Sequence, residues 1–201
     1  QADFVLSLPQ AWTDALTGQA GTFDASLAIQ TSQGVALAFP GVSPTADPST
    51  HTEYPCYYFQ HYNWNYGGDG VPTVNGRIYW PSASCVQADG PPDDLPMIVF
   101  LHGNGMAYDD HDYLLSHLAR NGFVVCSIQN GSHLSGSNEG RAREAISYLN
   151  GMHAYWGHAD RLTNDVVFMG HSRGGEAAVT AARLLADQPG LAYLPYDVEA
   201  V

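Results

Sequence analysis

The rhythm of hydrophobic and polar positions along this chain changes near Pro96. Upstream, short β-like pieces (Phe4–Leu8, Phe23–Gln30, Gly34–Phe39 and Gly76–Trp80) are separated by turn residues. Pro and Asn-Gly signals between Val71 and Gly76 predict antiparallel hairpins. Tyr54 to Tyr66 is crowded with rings: Tyr54, Tyr57, Tyr58, Phe59, Tyr62, Trp64 and Tyr66, with His61 among them. That density reads as a core strand plus an aromatic-rich loop, with a substrate-stacking platform as the alternative.

Downstream the pattern is that of a wound sheet. Met97–Leu101, Phe123–Ile128 and Val166–Met169 are continuous apolar runs, as strands buried on both faces require. Between them lie helical patterns. Tyr113, Leu114 and Leu118 mark Asp112–Arg120, which Asn121-Gly122 ends. Ala145, Ile146, Leu149 and Met152 form one stripe. From Arg173 a third helix carries Ala177, Ala178, Ala181, Leu184 and Leu185, and Asp187-Gln188-Pro189-Gly190 stops it. Asp197–Val201 opens a further strand. Strands alternating with helices specify an α/β fold with a mostly parallel sheet and helices on both faces. Residues 1–95 read as an extension with antiparallel strands and 96–201 as the wound core, together one structural domain.

Composition narrows the partners. The chain has 201 residues, 45 % of them hydrophobic, enough for a sizeable core. Its seven cations, all arginine, face twenty acids, a formal charge of −13. Such a field repels polyanions, so neither nucleic acid nor an anionic membrane surface is an expected partner. No apolar run approaches the ~18–20 residues of a membrane span. Of the three cysteines, Cys126 sits in an apolar run and reads as a small buried hydrophobe. Cys56 and Cys85 lie in Pro- and Gly-rich surroundings where a disulfide would staple loops, which suits a secreted or periplasmic protein.

Two short segments carry chemistry. The third apolar run leads into Gly170-His171-Ser172-Arg173-Gly174-Gly175 and then a helix. This is G-x-S-x-G in the strand–turn–helix context that gives the motif meaning. A turn that sharp strains the serine backbone, and side chains two positions either side would collide with it, hence Gly170 and Gly174. It presents the Ser172 hydroxyl at the carboxyl edge of the sheet, above a helix N-terminus that favours developing negative charge. The second segment, Leu101-His102-Gly103-Asn104-Gly105, follows the first buried strand. Acyl transfer needs two preorganised N–H groups aimed at an oxyanion. Arg173 supplies one candidate and Asn104 the other, with Gly105 as fallback. Both loops lie at one sheet edge despite their separation in sequence.

With these motifs, the stretch from Pro96 to about Gln188 resembles the α/β-hydrolase superfamily. H-G-x-G and G-H-S-R-G-G look most like its secreted polyester hydrolase, cutinase-type lipase and chlorophyllase-like branch. Gly76–Pro81 fits the strand that precedes the oxyanion loop in such enzymes. The resemblance implies a serine esterase or lipase that cleaves a carboxylic ester, small or polymeric, through an acyl-enzyme on Ser172. It implies no cofactor and no metal. A peptidase or acyltransferase on the same elbow, or a non-catalytic binding module, is the alternative. One departure stands out. Family order places an acid and then a histidine after the serine. Twenty-nine residues follow Ser172, and all nine histidines lie before it. The expectation is a fold that breaks off after the nucleophile helix, completed by a C-terminal remainder or a companion chain.

Other residues have plainer readings. His171 reads as a packing residue, and Arg173 as the i,i+3 partner of Glu176. His133 lies in a loop on the catalytic side. Asp109-Asp110-His111-Asp112 reads as N-cap and dipole partners of the following helix rather than a metal cluster. Asn130-Gly131-Ser132 is a glycosylation sequon.

Overall fold

The computed structural model describes residues 53–64, 73–129 and 136–201, together with the backbone of 28–30 and 34–36. The chain forms two compact units, Gln1–Thr45 and Ala46–Val201. In the first, β1 (Ala28–Gln30) and β2 (Gly34–Ala36) pair antiparallel, with Ile29 opposite Val35. Both fall inside expected strands. Phe4–Leu8 lies outside the described residues.

The second unit runs β3 (Cys56–Trp64), β4 (Val74–Ser82), β5 (Leu95–Leu101), α1 (Asp112–Arg120), β6 (Val124–Ile128), α2 (Asn138–Tyr155), β7 (Leu162–Gly170), α3 (Arg173–Asp187) and β8 (Asp197–Ala200). Its sheet has the order β3-β4-β6-β5-β7-β8. β3, β4 and β6 pair antiparallel, whereas β6, β5, β7 and β8 are parallel neighbours. The change of pattern at Pro96 therefore falls within one sheet. The step from β5 to β6 and the return across β5 to β7 run in opposite directions, so right-handed crossovers put α1 on one face and α2 on the other. α3 joins α2, and the two pack together.

Both faces are covered, which is why the central strands read as unbroken apolar runs. Met97, Val99, Leu101, Cys126, Ile128, Val166 and Phe168 share a core with Ile146, Leu149 and Met152 of α2 and Ala177, Ala181 and Leu184 of α3. Alternate positions, among them Ile98, Phe100 and Val125, are buried toward α1, where Leu115 and Leu118 lie inside. α1 ends at Asn121, after which Gly122 takes φ 94° and its N–H returns to the Ala119 carbonyl. α2 begins at Ser137, whose hydroxyl accepts from the Gly140 N–H at 3.0 Å.

α2 is buried well beyond its apolar stripe, since Arg141, Glu144, Ser147 and Asn150 are inside as well. Asn150 shows what a buried amide can do. It donates to the Leu191 carbonyl at 2.7 Å and accepts from the Tyr193 N–H and the Tyr196 hydroxyl. That fastens the connection between α3 and β8 to the middle of α2.

The aromatic segment is strand β3, one face of which is core. Trp64 lies 4.8 Å from the Tyr148 ring, and Trp156 Nε1 donates to the Tyr62 hydroxyl. Tyr57 and Phe59, on the other face, are exposed. Beyond Trp64, the loop part of that expectation lies outside the described residues. Cys56 and Cys85 are bridged, with Cα atoms 5.3 Å apart, and Cys126 is a free, buried thiol. Among the described residues no helix is long and apolar enough to cross a membrane.

Candidate active site

The carboxyl edge of the sheet brings the two motif loops together. β7 ends at Gly170, α3 starts at Arg173, and Ser172 between them takes φ 55° and ψ −122°. That backbone conformation is strained for a residue with a Cβ, and strain of this kind persists only where the surroundings enforce it. The enforcement is steric. A Cβ on Gly170 would lie 2.2 Å from the Gly174 carbonyl carbon, and one on Gly174 would lie 1.9 Å from the Leu101 carbonyl oxygen. The elbow thus presses directly on the end of β5. His171 N–H donates to that same Leu101 carbonyl at 3.0 Å, and Gly174 and Gly175 donate back to His171 and Ser172. The Ser172 side chain is exposed and caps nothing in α3.

The loop after β5 completes the edge. Among the described residues, the backbone N–H groups of Asn104, Gly105 and Arg173 have no hydrogen-bond partner. These are the donors the sequence nominates. The loop is shaped from below by Arg141 of α2, whose Nη1 donates to the His102 carbonyl at 3.3 Å and Nη2 to Asn104 Oδ1 at 3.4 Å. Gly103 has no room for a side chain, because a Cβ there would sit 2.7 Å from His171 Nδ1.

Among the described residues three histidines surround this loop. His102 is buried, with Nδ1 2.7 Å from the Gly103 carbonyl. His111 is packed on Phe100, with its ring 5.4 Å from His171. Burial lowers the pKa of both, and a neighbouring charge (Arg141 for His102, His171 for His111) acts in the same direction. His171 turns toward Gly103 and His111, in keeping with a packing residue. Among the described residues nothing hydrogen-bonds Ser172 Oγ. His133 and the Asn130 sequon lie outside the described residues.

Two expectations need correction. Glu176 does not pair with Arg173; it accepts from Asn138 Nδ2 at the start of α2, so it ties two helices together. The acidic run before α1 supplies no N-cap, although Asp112 does stand in the first turn of α1, where the dipole favours it. His111 occupies the N-cap without a side-chain bond, and Asp110 accepts from the Ala107 N–H. Asp109 and Asp112 reach across to Arg77 of β4, which also lies over the Phe59, Tyr79 and Tyr108 rings. The Tyr79 hydroxyl completes the cluster by donating to Asp112. Arg77 and Arg141 were both silent in the sequence. The one faint signal for Arg141 is a cation placed in the first turns of a helix, where the dipole disfavours it.

No family model and no curated protein sequence matches the chain. Solved structures do. The hyperthermophilic esterase from the archaeon Pyrobaculum calidifontis superposes with TM-score 0.51 at 20 % identity, over 68 % of this chain and 41 % of that one. Esterase Est22 superposes with TM-score 0.51 at 18 % identity, over 67 % and 40 %. This is an α/β-hydrolase fold. At such identities the likeness speaks for the architecture, and the chain spans about two fifths of the length of these neighbours, 41 % and 40 %.

Proposed function

We propose that this chain carries the nucleophile and oxyanion half of a serine hydrolase acting on carboxylic esters. The observation behind this reading is the strained backbone of Ser172, at φ 55° between two glycines that contact neighbouring backbone. Ser172 Oγ attacks the acyl carbon, and the Arg173 and Asn104 N–H groups hold the oxyanion that forms. A histidine takes the serine proton and returns it to the leaving alcohol, producing the acyl-enzyme. Water, deprotonated by the same base, then releases the acid and regenerates the serine. We place that histidine and its carboxylate partner outside the described residues, in a C-terminal remainder of the same protein or a companion chain, with His133 as the upstream alternative. The disulfide is consistent with a secreted or periplasmic setting. The H-G-N-G and G-H-S-R-G-G segments favour the cutinase-type branch.

The test is hydrolysis of short nitrophenyl esters by the intact protein and its Ser172→Ala variant. The variant is expected to lose at least about a thousandfold in kcat/KM at an unchanged Tm. Residual activity within tenfold of the parent, at equal Tm, refutes the assignment. Peptide cleavage without ester cleavage moves it to a peptidase.

A further inference from the structure

We propose that Arg141 is the positioning residue of the oxyanion loop, holding the Asn104 N–H in place from beneath through the His102 carbonyl and the Asn104 side chain. This deepens the reading above and rests on it. Arg141 is only 4 % exposed, and it stands in the second turn of α2. A buried guanidinium is costly to desolvate, and near a helix N-terminus the dipole opposes it. Such a cation is kept in place by its hydrogen-bond partners.

Two of its acceptors are informative. Both belong to the His102–Gly105 segment at the start of the loop, one on the backbone and one on a side chain. A guanidinium is a planar fork that meets two acceptors at once, which an ammonium cannot do in the same way. Across a trans peptide the C=O and N–H point in opposite directions, so fixing the His102 carbonyl fixes the plane in which the Gly103 N–H leaves. That carbonyl is also confined from the other side, since a Cβ on Gly174 would lie 2.7 Å from the His102 oxygen. One peptide oxygen therefore lies against both the nucleophile elbow and Arg141. The Asn104 amide is drawn the same way. Tied to Arg141, it is turned from its own backbone, and the Asn104 N–H stays clear for a ligand. Deletion of a single oxyanion donor costs about 10²–10³ in kcat. Loosening one should cost a part of that.

The experiment has two readouts. The first needs no activity: hydrogen exchange of the segment 102–106 in the parent and in Arg141→Gln. Exchange is expected to rise about tenfold or more there, while β6 and α3 stay protected. The second is kinetic. Arg141→Gln should lower kcat about 10- to 100-fold with KM within threefold, and weaken a tetrahedral boronic acid by a similar factor; Arg141→Lys should recover part of the loss. Asn104→Ala removes the second anchor at an exposed position where folding is not at risk. It should shift kcat the same way, and the Arg141→Gln, Asn104→Ala pair should be less than additive. Unchanged exchange at 102–106, or kcat and boronate affinity within twofold of the parent in both single variants, overturns the proposal. If the loop loosens but the parent hydrolyses no ester, the enzymatic reading fails and the structural role of Arg141 stands.

Discussion

The disulfide corner and the nucleophile elbow, at opposite ends of the sheet, are held by different physics. At the amino edge of the parallel strands, β3 and β4 are joined by area and a covalent bond. Tyr58, Trp80 and Trp156 form a chain of ring contacts at 6.3 and 5.8 Å, Cys56 is bridged to Cys85, and the Tyr58 hydroxyl donates to the Cys85 carbonyl. Such packing tolerates change, because lost contacts are partly recovered by neighbours. At the carboxyl edge the Tyr62, Trp64 and Tyr148 rings also pack, but around the nucleophile elbow the contacts are of another kind. Gly170, Gly174 and Gly103 are packed so closely against backbone or a ring that a single methyl group does not fit. The disulfide corner is held by attraction between large side chains, the elbow by the absence of side chains. It is at the elbow that the strain of Ser172 is kept.

The sharpest way to break the comparison is Gly174→Ala. Its Cβ meets strand backbone, which cannot step aside, so we expect a loss of about 4 kcal/mol or more, or no folded protein at all. Gly157→Ala is the control: a Cβ there has nothing within 4 Å, and Tm should move by less than 2 °C if the site matters rather than the glycine. Thermal melts of both variants decide it. At the amino edge, replacing Cys56 and Cys85 with serine opens a loop of sequence separation 29. That should cost on the order of 3 kcal/mol while leaving ester turnover within twofold, read by denaturant titration beside a nitrophenyl assay. A large loss of kcat in the folded disulfide variant would show that the two ends are coupled.

A smaller effect probes the core between them. His153 of α2 lies with Nε2 3.2 Å from Met97 Sδ, and burial lowers its pKa from 6.5 to about 4. Between those values the unfolded chain binds the proton and the folded chain does not. Stability therefore rises with pH across the window from 4 to 6.5 and is lost as pH falls through it. His102, His111 and His158 are shifted the same way. Tm measured at several pH values should fall toward pH 4, and His153→Leu should make the fall shallower. An identical slope in the variant would remove His153 from the explanation.

Legibility in the sequence followed the range of the interactions. α1 and α3 were readable to the residue because their stops are local: Asn121-Gly122 for one and Gln188-Pro189-Gly190 for the other. The elbow and the H-G-N-G loop were readable because glycine spacing records a steric demand within a few residues. The Cys56–Cys85 bridge was legible because turn-rich surroundings put few alternatives beside it. What stayed hidden spans the chain. Arg77 finds Asp109 and Asp112 more than thirty positions later, and Arg141 meets a loop 37 to 39 residues earlier. Those pairs exist only after the sheet has set β4 beside β6 and laid α2 under the loop. Strand ends were also underestimated: β7 runs from Leu162, four residues before its apolar run, because pairing with Leu95 extends it.

The central claim is that Ser172 is an activated nucleophile, and covalent labelling tests it most directly. The intact folded protein is treated with a fluorophosphonate, and the adduct is located by peptide mass spectrometry. The result expected is one adduct on the peptide that holds Ser172, absent after prior denaturation and absent in Ser172→Ala. No adduct on the folded protein, or an adduct on a different serine that tracks the loss of ester hydrolysis, would contradict it.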